Sequence, residues 1–217
     1  MSRLIDLSHV VEAGMTTYPG LPGPVISDFL SRADSASRYE AGTEFQIGRI
    51  EMVANTGTYL DTPFHRYADG FDLSELRLER VADLPGICLA PANPVIDTAA
   101  LEGVEVKGSA VLFATGWDRH WGTERYGDVE HPYLTEGAAE TLRDRGAALV
   151  GIDSVNIDST AGGTRPAHTT LLAAGIPIVE HLTGLSELAG RSFRFYAVPA
   201  PVKGMGTFPV RALAVVN

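Results

Sequence analysis

The sequence predicts an α/β fold with a partly parallel sheet, and two features carry this prediction. From Ser109 onward, continuous apolar runs alternate with helical patterns that end at glycines, the β-α-β-α-β order of right-handed parallel units. Residues 1 to about 70 instead hold short runs of β-forming residues between Pro/Gly loops, such as residues 18–24. No repeat, linker or low-complexity segment divides the sequence, so we predict one domain over residues 1–217.

The N-terminal half contributes three candidate strands and one candidate helix. The strands are predicted at Leu4–Ser8, Val25–Leu30 and Phe45–Val53. A short helix is predicted to begin at Asp72, because Asp72 as N-cap and Glu75 three residues later form a capping-box pattern.

The C-terminal half contributes the buried strands and the longer helices. Ser109–Thr115 is continuously apolar, as expected of a strand covered on both faces. Thr135–Arg145 has a helical apolar stripe, and Gly146 is placed to end that helix. The remaining elements are predicted, in order, as the strand Ala148–Ile152, the short helix His168–Ala174, and the strands Ile176–Glu180, Phe193–Val198 and Val210–Val216.

The charge balance narrows the classes of partner. The chain has 27 Asp and Glu against 17 Lys and Arg, a net charge of −10. With no cluster of basic residues, this argues against nucleic acid or an anionic membrane as a partner. No apolar run approaches the roughly 20 residues of a membrane span. The single cysteine, Cys88, cannot form an internal disulfide. We therefore expect a cytoplasmic protein that acts on a small molecule.

The densest polar cluster lies in residues 55–65. Asn55, Tyr59, Asp61 and His65 all occupy odd positions, and residues of equal parity share one face of an extended segment. These four side chains are therefore predicted to line one wall of a cleft. The alternative is a polar loop in which Asp61 caps a turn and His65 is half exposed.

A second cluster pairs His168 with Glu180. Glu180 ends a buried strand, and ligands of open α/β sheets bind at the carboxyl ends of strands. The alternatives are that Glu180 emerges into solvent and that His168 packs on its short helix. Tyr18 and Trp117 lie in Gly-rich loops, where each is either an aromatic wall for a substrate or a core residue.

The other polar candidates are expected to have structural roles. Asp153 and Asp158 are predicted to accept hydrogen bonds from loop backbone groups. The remaining histidines are expected to be structural or at the surface; they are His9, His120, His131 and His181.

At these residues the sequence resembles the cyclase superfamily that includes bacterial kynurenine formamidase and isatin hydrolase. The family pattern His-x-Gly-Thr-His-x-Asp-x-Pro-x-His stands here as Asn55-x-Gly57-Thr58-Tyr59-x-Asp61-x-Pro63-x-His65. Further ordered matches run along the whole chain and include residues 6–9, 14–15, 18–20, 115–118, 131–134, 151–153, 171–172, 175–176 and 209–211.

The resemblance implies a single domain of the swivelling β/β/α type. It also implies a site where two zinc ions activate water for attack on an amide carbonyl. Asp61 and Glu180 match the carboxylates that bridge the two ions, and His168 matches the histidine of the second ion. His65 matches the proton-transfer residue and Tyr18 the aromatic contact to the substrate.

Two departures from the family pattern change this expectation. Asn55 and Tyr59 replace two zinc-binding histidines. An amide oxygen is a weak ligand, and a phenol must first lose a proton with a pKa near 10. We therefore expect the first metal site to be absent. Asp61, His168 and Glu180 then hold at most one divalent ion (Mn, Zn, Mg or Fe), or the site stays empty.

Three functions remain open. The first, favoured by the family, is a hydrolase of a C–N (amide or lactam) or lactone bond in a small cyclic or aromatic substrate. The second is a metal-free acid/base enzyme for cyclisation, dehydration or isomerisation, with Tyr59 as donor to a developing oxyanion. The third is a binding protein that has lost catalysis. The predicted catalytic residues are His65, Asp61 and Tyr59, and the predicted substrate contacts are Tyr18, Asn55 and Trp117. We also expect a homodimer or a higher homo-oligomer.

Overall fold

The computed structural model describes residues 2–216, which form thirteen strands and three helices. The strands are β1 (Arg3–Asp6), β2 (Val25–Leu30), β3 (Ile47–Glu51), β4 (Tyr59–Asp61), β5 (Leu84–Leu89), β6 (Val95–Ile96), β7 (Ala110–Phe113), β8 (Tyr133–Leu134), β9 (Leu149–Ile152), β10 (Ile178–Glu180), β11 (Phe193–Tyr196), β12 (Thr207–Pro209) and β13 (Leu213–Val216). The helices are α1 (Arg32–Ala36), α2 (Glu136–Asp144) and α3 (Pro166–Ala173). No helix of this range is long and apolar enough to cross a membrane.

Nine strands form one mixed sheet in the order β1-β13-β11-β5-β7-β9-β10-β4-β12. The four central strands, β5, β7, β9 and β10, are parallel to one another. The strands on either side pair antiparallel. Helix α2 connects β7 to β9, and α3 connects β9 to β10, so the predicted β-α-β-α-β units of the C-terminal half are confirmed.

Each face of the sheet has its own hydrophobic core. On one face Val111, Phe113 and Ile152 pack against Leu142 of α2 and Leu171 of α3. On the other face the sheet curls, so that residues of its outer strands meet side chains of its centre in one cluster. That cluster includes Ile5, Leu60, Leu112, Phe195 and Val216. The alternation of faces along β7 confirms that this apolar strand is covered on both sides.

The predicted helix at Asp72 is wrong, although its capping box is present. Asp72 Oδ1 accepts from the backbone N–H of Glu75 at 3.2 Å, and Glu75 Oε2 accepts from the N–H of Asp72 at 3.2 Å. The chain makes only a turn there, and a 3₁₀ turn follows at Leu78–Arg80. Asp72 Oδ2 also accepts from Gly204 N at 2.6 Å. The capping residues therefore serve a tertiary contact rather than a helix.

The C-terminal strand prediction also needs a correction. The predicted strand Val210–Val216 is shorter, because the chain turns between β12 and β13. These two strands lie at opposite ends of the sheet order: β13 pairs with β1 and β11, whereas β12 pairs with β4. Because of this break, residues 207–216 contribute one strand near each end of the curled sheet.

Strands β2 and β3 form a separate two-stranded ribbon outside the main sheet. Its strands were predicted at nearly the observed positions, but its side chains are exposed on both faces, with Phe29 73% exposed. Other half-exposed apolar residues of the ribbon and its connection are Val25, Ile26, Tyr39, Phe45, Ile47 and Ile50. An isolated two-stranded ribbon is at best marginally stable in water.

Candidate active site

Strand β4 carries the centre of the candidate site and lies between β10 and β12. Tyr59 pairs with Glu180 of β10, and Asp61 pairs with Thr207 of β12. Side chains opposite each other on neighbouring strands are about 4.5–5.5 Å apart at Cβ. The sheet register therefore joins residues that are more than 100 positions apart in sequence.

Only the middle of residues 55–65 is extended, and of the four residues predicted to line a cleft only His65 lines the cavity described below. Tyr59 and Asp61 are two positions apart in β4 and are both buried. His65 follows in a 3₁₀ turn at Pro63–His65 rather than in an extended chain. Gly206 keeps this turn close to β12, because a Cβ at Gly206 would lie 2.1 Å from the backbone N of His65.

We call Asp61, His65, His168 and Thr207 the Asp61 side of the site. The Thr207 hydroxyl donates to Asp61 Oδ1 and lies 2.7 Å from His65 Nδ1. Asp61 Oδ2 is buried and has no hydrogen-bond partner among residues 2–216. His168 Nε2 lies 3.7 Å from this oxygen and 3.6 Å from Glu180 Oε1. Both distances are too long for hydrogen bonds.

One carboxylate, Asp158, positions His168. It accepts from the backbone N–H groups of Ala167 and His168 at the start of α3, at 2.6 and 3.0 Å. It also lies 2.7 Å from His168 Nδ1. Asp158 therefore accepts from backbone N–H groups, as expected, but these belong to α3 rather than to a loop, and Asp158 also holds the His168 ring. Because Nδ1 is engaged, Nε2 is the ring atom that faces Asp61 and Glu180.

The Asp61 side fits one divalent ion. The unpartnered oxygen Asp61 Oδ2 and the nitrogen His168 Nε2 are 3.7 Å apart. This separation suits two ligands of the same ion, each of which lies about 2.0–2.2 Å from the metal. A carboxylate behind the imidazole is the usual support of a metal-binding histidine. The three side chains that bring a ligand atom within 4.8 Å of one another are Asp61, His65 and His168. Glu180 Oε1 adjoins them but also accepts from Ile157 N at 2.6 Å.

We call Tyr59, Glu180, His181 and Tyr126 the Tyr59 side of the site. The Tyr59 hydroxyl donates to Glu180 Oε2 at 2.6 Å and lies 3.2 Å from His181 Nε2. The Tyr126 hydroxyl lies 2.8 Å from His181 Nδ1. Since the Tyr59 hydrogen is directed to Glu180, His181 Nε2–H donates to Tyr59, and Nδ1 accepts from Tyr126. These four side chains form one continuous buried hydrogen-bonded chain.

Burial sets the protonation of the Tyr59 side. It raises the pKa of Tyr59 well above its ordinary value, and the charges of Glu180 and Asp61 add to this effect. Burial also lowers the pKa of His181 to about 3, with smaller contributions from His9 and His131. Tyr59 is thus a neutral phenol and His181 a neutral imidazole at physiological pH. His181 has a left-handed backbone with φ of 57°, and its carbonyl accepts from Thr58 Oγ1 at 2.5 Å.

The pKa of His168 moves in the opposite direction. Burial alone would lower it, but the negative charges of Glu180 and Asp61 and the hydrogen bond to Asp158 outweigh burial and raise it to about 10. Burial raises the pKa of Glu180. The protein therefore gathers negative charge around His168 Nε2, and either a proton or a cation balances it.

The Tyr59 side does not fit a second ion. Tyr59 is 2% exposed and holds its proton against Glu180, so the phenolate that a metal would need is disfavoured. The Asn55 side chain is half-buried, and its hydrogen bond slightly opposes the rise in the pKa of Tyr59. A neutral phenol and a half-buried amide are thus poor ligands for a metal ion on this side. The Tyr59 hydrogen is also not free for the predicted oxyanion contact.

A cavity of about 660 Å³ opens beside the Asp61 side, and His65 and His168 both line it. This volume is within the usual range of small-molecule sites. Trp117 is not in the lining: it is buried against Tyr126 and Val155, and its indole N–H donates to Tyr126 O at 2.9 Å. Tyr18 is half-buried at the edge of the same aromatic cluster. Between the two alternatives stated for Trp117, the structure favours the core residue.

Sequence reasoning missed the supporting residues Thr207, Tyr126 and His181, and it underestimated Asp158. Thr207 and Tyr126 carry no sequence signal, because only the sheet register and the loop packing bring them to the site. His181 adjoins Glu180, and this proximity is the one signal that favoured it. Asp153, in contrast, accepts from the backbone of Thr115 and Gly116 at 2.9 and 2.8 Å, as expected.

The fold and the site together define an α/β protein with a curled mixed sheet and a candidate metal site at the end of its parallel strands. The chain belongs to the family described as "Putative cyclase", whose model matches residues 5–159. It is 27% identical over 219 residues to a kynurenine formamidase of Bacillus cereus (strain ATCC 14579), covering 98% of this chain and 97% of that protein.

Two solved structures confirm the fold. A "predicted metal-dependent hydrolase" of Bacillus stearothermophilus is 25% identical, with a TM-score of 0.78 over 99% of this chain and 98% of that one. Isatin hydrolase A of Labrenzia aggregata is 20% identical, with a TM-score of 0.82 over 99% of this chain and 94% of that one. The predicted fold class and the predicted family are therefore both confirmed.

Proposed function

We propose that this chain is a hydrolase that opens an amide or lactam C–N bond, or a lactone, in a small cyclic or aromatic substrate, with the help of one divalent ion. The observation that carries the proposal is the unpartnered, buried Asp61 Oδ2 facing His168 Nε2 beside a cavity. The names of the relatives, a kynurenine formamidase and an isatin hydrolase, support an aromatic substrate with such a bond.

Asp61, His168 and Glu180 would hold the ion. When bound, such an ion polarises a carbonyl oxygen and lowers the pKa of a water molecule toward 7. His168 is held by Asp158 for this role, and Glu180 by Tyr59 and Ile157 N. The carboxylates thus keep fixed positions, and substrate binding does not have to order them.

His65 is proposed to move the proton. The single hydrogen of the Thr207 hydroxyl is directed to Asp61, so His65 Nδ1–H donates to that hydroxyl. Nε2 then carries the lone pair that accepts a proton from the attacking water and returns it to the leaving nitrogen. Because the His65 side chain is 36% exposed and lines the cavity, it can reach the bond that is broken.

Tyr59 is proposed as a positioning residue rather than a substrate contact. Its hydroxyl connects Glu180 to His181 and Tyr126 behind the site. Asn55 lies beside Tyr59. Tyr18 lies at the edge of the neighbouring aromatic cluster and, like Trp117, outside the lining of the cavity, so its contact with the substrate stays a prediction.

Elemental analysis of protein purified without chelator, combined with formate release from formanilides and ring opening of lactams and lactones, tests this proposal. We expect about one Mn, Zn, Mg or Fe per chain, and turnover that a chelator abolishes and the same ion restores. Turnover that persists in metal-free protein would favour the metal-free acid/base enzyme. Absence of turnover across the panel, with a fully loaded metal site, would favour the binding protein.

We also propose that the ribbon of β2 and β3 packs against the ribbon of a second copy. The ribbon leaves apolar side chains exposed on both faces. It also carries acids, Asp28 and Glu51, and a base, Arg49, so that two copies related by a two-fold axis can pair opposite charges.

Light scattering should give a dimer or larger assembly for the wild type. Phe29→Asp combined with Ile50→Asp should give a monomer, whereas the exposed Val129→Asp, outside the ribbon, should not. A monomeric wild type would refute the assembly.

A further inference from the structure

The cavity beside His65 and His168 has a basic wall in an acidic protein. The chain has a net charge of −10, yet Arg66 and Arg165 both line this cavity. The acid in the lining, Glu136, is exposed and pairs with neither guanidinium. The carboxylates of the site itself, Asp61 and Glu180, are buried behind His168.

Both guanidinium groups are held in place without being neutralised. Arg165 Nη1 donates to the backbone carbonyls of Gly162 and Thr164 at 2.8 and 2.7 Å, which fix the side chain but carry no formal charge. The Arg66 guanidinium lies over the ring of Tyr67, 5.3 Å from its centre. Ion pairs among residues 2–216 occupy other arginines, namely Arg3, Arg77, Arg143, Arg194 and Arg211. Arg66 and Arg165 therefore keep their full charge for a ligand.

A neutral donor completes this wall. Asn156 is 8% exposed and lines the cavity, and its Oδ1 accepts from the backbone N–H of Asp158 at 2.9 Å. With the oxygen turned inward, Nδ2 is the end of the amide that is left to donate into the cavity. Two charged forks and an amide N–H are the groups that bind a carboxylate in several proteins.

The basic wall lies next to the residues that are proposed to act on the reacting bond. Arg66 directly follows His65, and Arg165 comes three residues before His168. The two arginines thus lie on two of the three chain segments that form the Asp61 side, and both line the cavity next to it. We propose that the substrate of this site carries a second, anionic group, a carboxylate, which Arg66, Arg165 and Asn156 bind while the amide or ester carbonyl lies at the Asp61 side. This inference rests on the proposed function and narrows its substrate class.

Binding of non-hydrolysable probes tests the anion site separately from hydrolysis. The probes are 2-, 3- and 4-acetylbenzoate, in which a ketone replaces the amide, and the neutral 2-, 3- and 4-acetylbenzamides. Calorimetry on the protein as purified, at 50 mM NaCl, should show at least one benzoate binding tenfold or more tightly than its benzamide. At 300 mM NaCl the difference should shrink, because the cavity is open enough for salt to screen the charges.

Substitution of each arginine identifies the source of the preference. Arg66→Gln and Arg165→Gln should each bring the benzoate and benzamide to within about threefold of each other. Arg191→Gln, which removes an exposed guanidinium outside the cavity lining, should leave the preference intact. Because Arg165 also anchors a loop, Arg66→Gln with an unchanged melting temperature is the decisive variant.

Two results would overturn the anion site. One is equal binding of all benzoates and benzamides by the wild type. The other is a preference that survives in the double variant Arg66→Gln/Arg165→Gln, since the carboxylate would then bind a metal instead. Formate release from neutral formanilide is measured in parallel. Hydrolysis without a benzoate preference refutes the anion site alone, and an arginine-dependent preference without hydrolysis refutes only the hydrolase.

Discussion

The two sides of the candidate site differ in how their polar groups are satisfied. On the Tyr59 side, the side chains of Tyr126, His181, Tyr59 and Glu180 are joined by hydrogen bonds in that order. Every polar side-chain atom of these four residues has a protein partner. On the Asp61 side, one buried carboxylate oxygen has none among residues 2–216. A buried polar atom without a hydrogen-bond partner is costly, and the cost is removed where a ligand binds that atom. The Asp61 side is therefore the place of binding, and the Tyr59 side supports it, with Glu180 at the boundary between the two.

Replacement of Asp61 should have the largest effect on metal content and turnover. Asp61→Asn keeps the shape of the side chain but removes the anionic ligand, so we expect less than about a tenth of a metal per chain and a loss of turnover of at least about 10³-fold. Asp28→Asn on the exposed ribbon is the matched control and should change neither. Metal retention in Asp61→Asn would show that the open side is not the binding place.

His65 distinguishes proton transfer from metal binding within the Asp61 side. We expect His65→Ala to lower turnover by about 10²–10⁴-fold while the metal content stays near that of the wild type. Glu180→Gln should instead lower the metal content. The opposite pattern, with metal lost from His65→Ala and kept in Glu180→Gln, would make His65 the third ligand and leave Glu180 as part of the support.

Tyr59→Phe tests whether the Tyr59 side is only a support. The change leaves Glu180 Oε2 and His181 Nε2 without their partner, so we expect unfolding to become about 2–5 kcal/mol more favourable in chemical denaturation. The metal content should be unchanged. Tyr39→Phe, at an exposed tyrosine, should leave stability within about 0.5 kcal/mol. Metal loss in Tyr59→Phe would show that the two sides are not separate.

Replacement of Asn55 and Tyr59 by histidine tests whether the rest of the first metal site of the family is still present. The double variant Asn55→His/Tyr59→His should gain a second ion per chain if only those two ligands are missing. Elemental analysis that still finds a single ion would show that His181 and Tyr126 have closed the space behind Glu180. Tyr39→His is the control for non-specific binding by an added histidine.

The smallest expected effect is a pH dependence at the edge of the Tyr59 side. His9 stacks on Trp121 with ring centres 3.8 Å apart, and burial lowers its pKa to about 4, against an opposing effect of Asp118. Between pH 6.5 and 4 the unfolded chain therefore binds more protons than the folded one, and stability falls as the pH falls. Since His9 is only half-buried, we expect His9→Gln to reduce the loss by only about 1 kcal/mol, or roughly 2–4 °C in Tm. Equal Tm losses in His9→Gln and wild type between pH 7 and 4.5 would contradict this.

The α/β class and the parallel units around β7, β9 and β10 were predictable from the sequence alone. The residues Asp61 and His65 on the one hand, and His168 and Glu180 on the other, were predicted as two clusters, which the family resemblance joined into one site. Apolar periodicity and glycines at helix ends are local signals. They predict these strands and helices correctly because the buried contacts of the fold favour the same local structures. The replacements at Asn55 and Tyr59 were equally visible, since ligand chemistry depends on residue type alone.

Tertiary structure alone decided which of these groups are satisfied. The register of β4 against β10 and β12 gives Glu180 the Tyr59 hydroxyl and gives Asp61 only the Thr207 hydroxyl. In the same way, Asp72 accepts from Gly204, 132 residues later in the chain, and begins no helix. Hydrogen-bond partners more than 100 residues apart depend on strand pairing, which no local pattern encodes. For that reason the sequence named the acids of this site, and the fold showed which one is left for a ligand.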